Sequence, residues 1–199
     1  MAKYTRERII DAFFELAIKN PEKTGFTMSE IAKEAGLTRQ AIYRKHFRNF
    51  QEIVDYVYQF LDKQMYQICS DYDIEQDGNP FDYIADRLLP VIYEKRKWVS
   101  CLYISAIAPS FEQFVVSTYT EWGIKNMHPS SEKFHLSDDV LIRLIVEQTT
   151  TIIKNWIIQE NPLPPEDFKK VFLKLVKESL YDYLITELPT EQQSISENE

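Results

Sequence analysis

The sequence predicts an all-α protein. Two observations carry that expectation. Glycine is scarce, 4 residues in 199, and no stretch alternates apolar and polar residues as a half-buried strand does. Apolar residues recur instead at i, i+3, i+4 and i+7, behind polar residues suited to cap helices.

The first 20 residues, MAKYTRERIIDAFFELAIKN, read as an amphipathic helix capped by Thr5. They lack the apolar run and small-residue cleavage site of a signal peptide. Thr27 with Glu30 forms the T-x-x-E capping box of a second helix, and Phe26 with Ile31 forms its hydrophobic staple. Met28, Ile31, Ala32 and Ala35 give that helix an apolar face. Gly36 is placed to end it in the left-handed conformation. Thr38 caps a third helix, with Ala41 and Ile42 packing inward. Its other face carries Arg39, Gln40, Tyr43 and Arg44, side chains that suit base edges and phosphates. Two short helices about a glycine turn, the second with a basic outer face, outline a helix-turn-helix and point to double-stranded DNA.

Charge follows the motif. The whole chain carries 23 Lys and Arg against 31 Asp and Glu, a net of −8. Residues 1–50 hold 10 basic and 6 acidic side chains, a net of +4, and the rest hold 13 and 25, a net of −12. A basic end on an acidic chain can meet phosphate, while the remainder opposes nonspecific binding.

The segment from Tyr4 to about Val57 resembles the N-terminal domain of the TetR family of bacterial transcriptional regulators. RERIIDAFFELAIKN, FTMSEIAKEAGLTRQAIY, the His-Phe pair and the step into EIVDYVYQFL carry the resemblance. It implies a three-helix DNA-binding domain over 1–49 and a connecting fourth helix. A helical ligand-binding and dimerisation domain over 50–188 follows, and two copies pair through their last two helices. It also implies phosphate contacts at Thr38, Tyr43 and His46, and base contacts at Arg39 and Gln40. Two departures stand out. Arg44 and Lys45 both intervene before His46, one residue more than is usual, and Phe50 stands where a phosphate-binding lysine is common. Lys45 or Arg48 can supply that charge; alternatively, Phe50 is a packing residue at the domain junction. Thr27, Arg44, Lys45 and Arg48 complete the expected DNA-contacting set.

The larger part reads as a succession of helices. Asn49 and Glu52 box the start of a long one, with Ile53, Val57, Phe60, Leu61, Met65 and Ile68 on one face. DYDIEQDGN is a polar loop. Asn79-Pro80 opens a further helix, with Pro at its favoured first position, and Pro90 should kink or interrupt it. EKRKW is a basic break before a short helix over Val99 to Ala106. Ser110 with Gln113 opens the next. Ser137 caps one reaching about Gln159, and Pro164-Pro165 precedes the last, which carries Phe168, Phe172, Leu180 and Leu184. The tail, 189–199, has the polar composition of a disordered segment.

Trp98, Tyr103, Phe114, Tyr119, Trp122 and Trp156 are large aromatics that either line a pocket for a hydrophobic or cationic effector or form plain core. Glu112 and Glu147 lie on or beside the same helices and can meet a cation. No phosphate-cradling glycine loop and no assignable catalytic constellation is present. His128 and His135 flank a loop but lack further ligands, so neither cofactor nor metal is expected. Cys69 and Cys101 are far apart and read as reduced thiols in a cytoplasmic protein. No run is long enough to span a membrane. The resulting expectation is a ligand-responsive repressor, not an enzyme, acting as a homodimer on a palindromic operator. The same residues leave open an activator, or a coregulator that binds a protein partner and has lost DNA binding.

Overall fold

A computed structural model describes residues 2–178 and 180–183 of the chain. The head comprises α1 (Ala2–Lys19), α2 (Met28–Glu34) and α3 (Arg39–Lys45). The long α4 (Phe50–Ser70) leads into α5 (Ile74–Asp77), α6 (Pro80–Tyr83), a π-helical segment (Ile84–Leu88) and α7 (Leu89–Glu94). Next come α8 (Arg96–Ile104), α9 (Phe111–Asn126), α10 (Ser131–Phe134), α11 (Asp138–Ile157), α12 (Pro165–Lys177) and a 3₁₀ turn (Leu180–Tyr183). Among the described residues there is no strand, so the chain is all-α as its sequence requires. No helix of the described residues is long and apolar enough to cross a membrane.

In the head, α1 buries Ile9, Ile10, Phe13, Phe14 and Ala17 against Met28, Ile31 and Ala32 of α2 and Ile42 of α3. That stripe follows the helical period, so one face of α1 supplies the floor on which the other two helices rest. The head is not sealed from the body. The Phe14 and Trp98 rings stack at 5.2 Å, and the Ala106 N–H donates to the Pro21 carbonyl at 2.8 Å.

The 21 residues of α4 span about 30 Å. Asn49 accepts from the Glu52 N–H at 2.9 Å, and the Glu52 carboxylate accepts from the Arg48 N–H at 2.7 Å. Phe50 is half-buried, with its ring 5.6 Å from Phe13 and 6.3 Å from Phe26. It is a packing residue, and the first turn of α4 is thereby rooted in the head.

Pro90 acts through the preceding turn. It has no N–H to give the Asp86 carbonyl, and its ring crowds that carbonyl. The helix widens over Ile84–Leu88, where the Leu89 N–H reaches the Ile84 carbonyl, five residues back. In the body, α9 and α11 lie side by side, and Gly123 lets the Ile142 side chain come close to the α9 backbone. A Cβ there would come within 2.7 Å of the Ile142 side chain.

Several local expectations are corrected. Thr5 lies inside α1 instead of capping it, and Ala41 is exposed on α3. The polar loop DYDIEQDGN contains the single turn α5, capped by Asp73. The break in EKRKW is confined to a turn at Lys95, so α8 starts at Arg96, earlier than Val99, and ends at Ile104. Ser110 and Ser137 make no side-chain capping bond, and α11 stops at Ile157. The last helix stops at Lys177, and Leu180 stands in a separate 3₁₀ turn. Leu184, the expected end of the second domain at residue 188 and the tail over 189–199 lie outside the described residues.

Candidate nucleic-acid interface

The turn between α2 and α3 is built from local hydrogen bonds. Gly36 adopts φ 61°, the left-handed region that favours glycine. The Gly36 N–H donates to the Lys33 carbonyl at 3.1 Å, and the Leu37 N–H to the Ala32 carbonyl at 2.8 Å. These are the paired bonds of a Schellman cap. They turn the chain sharply enough for Thr38 to start α3 two residues later. Arg8 of α1 locks the corner by donating from Nη2 to the Ala35 carbonyl at 2.6 Å.

The two threonine caps differ chemically. At Thr38, Oγ1 accepts from the Ala41 N–H at 3.1 Å, and no acceptor among the described residues takes its own proton. That proton is free for an acceptor outside the protein. At Thr27 the full capping box forms: Oγ1 accepts from the Glu30 N–H at 3.2 Å and donates to the Glu30 carboxylate at 2.8 Å. The Thr27 proton is committed to a carboxylate. Glu30 also meets Lys23 at 2.5 Å. The Lys23 ammonium, then the Thr27 N–H and hydroxyl, pull the Glu30 pKa down to about 2.

Only Ile42 of α3 is buried; Arg39, Gln40, Tyr43, Arg44 and Lys45 are exposed, as are Thr38 and Arg48. The Arg39 guanidinium lies 5.5 Å from the centre of the Tyr43 ring, one turn on. This cation–π contact limits the guanidinium's freedom before any ligand arrives.

His46 is half-buried at the end of α3, and its Nδ1 is buried without a hydrogen-bond partner. Burial, then the charges of Arg6 and Lys45, push its pKa below the ordinary value. The sequence reading had not singled out Arg6, whose guanidinium sits 5.1 Å from the Tyr56 ring and 5.6 Å from the Phe47 ring. Its position a full helix upstream of the motif hid it: only folding brings it beside His46. Thus the outer face of α3 gathers the expected residues, with His46 to one side and Thr27 engaged elsewhere.

The aromatics of the body divide. Tyr103, Tyr119 and Trp122 line an apolar cavity of about 90 Å³. Trp98 does not; it stacks on Phe14 and borders the cleft that holds Arg6, Lys45 and His46. Phe114 stacks on Tyr58 at 5.2 Å. Trp156 is buried between Phe168 at 4.1 Å and Tyr93 at 5.8 Å, and its Nε1 donates to the Leu163 carbonyl at 2.9 Å. Both candidate acidic groups are neutralised, Glu112 by Lys154 at 2.6 Å and Glu147 by Arg143 at 2.8 Å. Among the described residues no three His, Cys, Asp or Glu side chains converge to hold a metal ion.

No family model matches the chain, and no curated protein matches it in sequence. Solved structures do. The dihydroxyacetone kinase operon activator DhaS is similar at 19% identity and a TM-score of 0.51, the match covering 87% of this chain and 94% of that one. NalD, the secondary repressor of the MexAB-OprM multidrug efflux pump in Pseudomonas aeruginosa, is similar at 17% identity and a TM-score of 0.53, covering 88% and 96%. At this identity the likeness shows the fold, and it is the fold that the sequence resemblance implied.

Proposed function

We propose that the chain is a sequence-specific DNA-binding transcriptional regulator that responds to a small molecule. The observation that carries this reading is the outer face of α3. Thr38 offers a free hydroxyl proton, Arg39 and Gln40 stand exposed at its first turn, and Tyr43, Arg44 and Lys45 continue the row. Arg39 and Gln40 are the base readers, since Arg suits guanine and Gln suits adenine in the major groove. Thr38, Tyr43, Arg44, Lys45, Arg48 and His46 hold the phosphates. Thr27 takes a phosphate only by giving up its bond to Glu30, so its part is to cap α2. The two similar structures are an operon activator and a repressor, which supports regulation and leaves its sign open.

The working unit of this reading is a homodimer. One seven-residue helix reads few base pairs, and two copies about 34–36 Å apart read a palindromic operator. Val140 and Leu144 of α11 and Val171 of α12 leave 42%, 49% and 41% of their surfaces open in the single chain. A second copy covers them. The effector sits in the cavity of the body and acts by favouring one spacing of the heads over another.

Selection of bound duplexes from a random pool, followed by anisotropy titrations at two salt concentrations, tests the reading. An enriched palindrome bound by a dimer supports it. Only weak, salt-sensitive binding without enrichment overturns it and leaves a coregulator with a protein partner.

A further inference from the structure

The face of α4 that walls the cavity of the body also carries a carboxylate that enters no ion pair among the described residues. Asp62 precedes Met65 by three residues and Cys69 by seven on α4, so the three share one face of the helix. Met65 and Cys69 are walls of the cavity. Asp62 Oδ1 is buried without a hydrogen-bond partner, and Asp62 enters none of the ion pairs of the described residues. Burial raises its pKa. Cys69 is pushed up to about 12 by burial and then by Asp62. Tyr119 rises for the same reason, burial first, with Cys69 and Asp62 adding. The carboxylate is therefore within electrostatic reach of two walls.

Asp62 as a whole is half-buried, but its Oδ1 is out of water without a partner, and that cost falls when a counter-ion arrives. No lysine or arginine lines the cavity. Tyr103, Tyr119 and Trp122 are in the wall, and the face of an aromatic ring attracts a cation and repels an anion. The hydroxyl protons of Thr149 and Thr150 are already given to the Ile145 and Val146 carbonyls, at 2.7 and 2.8 Å, so these walls offer little to a neutral polar guest.

We propose that the cavity takes a small organic cation, an alkylammonium whose apolar chain enters the space beside Met65 and Trp122 and whose nitrogen pairs with Asp62. The inference rests on reading the body as an effector domain and names the effector's chemistry. Size sets the class. A cavity of roughly 150 Å³ accommodates benzene, so about 90 Å³ suits a slim chain better than a fused ring. Met65 and Met127, flexible thioethers in the wall, can yield to a few further carbons.

The test uses the full chain without DNA and three probes of one length: hexylammonium, 1-hexanol and hexanoate. By calorimetry, hexylammonium should bind at least about tenfold more tightly than 1-hexanol, and hexanoate more weakly than either. Binding should shift the methyl resonances of Met65 and Met127 and leave that of Met28 in the head unmoved. Asp62→Asn, which keeps the shape, should reduce hexylammonium to the affinity of 1-hexanol and leave 1-hexanol unchanged. Any of four results overturns the proposal: no binding by any probe, equal or better binding of the alcohol or the acid, a preference that survives in Asp62→Asn, or shifts confined to Met28. The charge series on the unaltered chain stands even if the variant fails to fold. Cation binding with no operator selected would sink the regulator reading alone, and an operator with no cation preference would sink this proposal alone.

Discussion

The guanidinium of Arg8 reaches from the first helix to the carbonyl of Ala35, 2.6 Å away, at the last residue before the glycine turn. One hydrogen bond thus joins the helix that supplies the floor of the head to the corner that aims α3. A Cβ on Gly36 would stand 3.2 Å from the same guanidinium nitrogen.

Gly36→Ala therefore meets two objections, the left-handed backbone and the crowded Arg8. The backbone alone should cost roughly 1–2 kcal/mol. Urea unfolding of the full chain would measure it, and an unchanged midpoint would contradict the account of the turn.

Alanine at the two threonine caps should separate their roles. Each replacement should cost about 1 kcal/mol of stability through the lost cap. Thr38→Ala should in addition weaken operator binding, because its hydroxyl carries a free proton. Thr27→Ala should leave operator affinity nearly unchanged once folding is complete. Equal losses of affinity at both positions would refute the distinction.

Arg39→Ala should weaken specific binding by roughly 1–3 kcal/mol and relax the preference for one base pair. Lys45→Ala should weaken binding on all sequences alike and reduce the salt slope by about 1. Competition between selected and scrambled duplexes at several salt concentrations reads both effects. An equal loss on both duplexes for Arg39→Ala would make Arg39 a phosphate contact.

The capping box of α2 should be sensitive to acid in a defined window. Glu30 titrates at about 2 in the fold against an ordinary 4.5. Its pKa is depressed, so its contribution is complete above the unfolded value and is lost as pH falls through the folded one. An NMR titration of the Glu30 carboxyl carbon should place its midpoint far below 4.5. The protection of the Thr27 amide should disappear over the same range, and its persistence at the acid end would argue against the box.

Trp156→Ala should be among the most damaging single changes, at roughly 3–5 kcal/mol for a buried aromatic. The stack on Phe168 and the bond to the Leu163 carbonyl are both lost. A thermal midpoint close to that of the unaltered chain would instead place Trp156 at a surface or a pocket.

The legible features were those fixed by near neighbours in sequence. Thr27, Thr38 and Asn49 cap helices because their partners are three residues away, and Gly36 turns left-handed where the apolar period of α2 stops. Pro90 announced an interruption, but sequence could not say that the helix would widen in place of bending. The start of α8 was obscured because Arg96 and Lys97 interrupt the apolar period while the backbone is already helical. Trp122 and Trp156 look alike in sequence and both are buried; what separates them is that Phe168 of α12 stacks on Trp156 while Trp122 lines a cavity. Glu112 and Glu147 drew notice as possible partners of a cation, yet Lys154, 42 residues away from Glu112, had already claimed it. Asp62, one polar residue among many on α4, gains its meaning from what folding fails to place beside it.

Because Phe50 opens α4 and is wedged between Phe13 and Phe26, this helix has no slack joint where it meets the head. As a rigid lever it would magnify small tilts. Over about 30 Å, a tilt of roughly 5° at the Cys69 end sweeps the Phe50 end through about 2.5 Å. The three helices of the head, packed on its first turn, would be carried with it, and a displacement of that size rivals the length of a hydrogen bond.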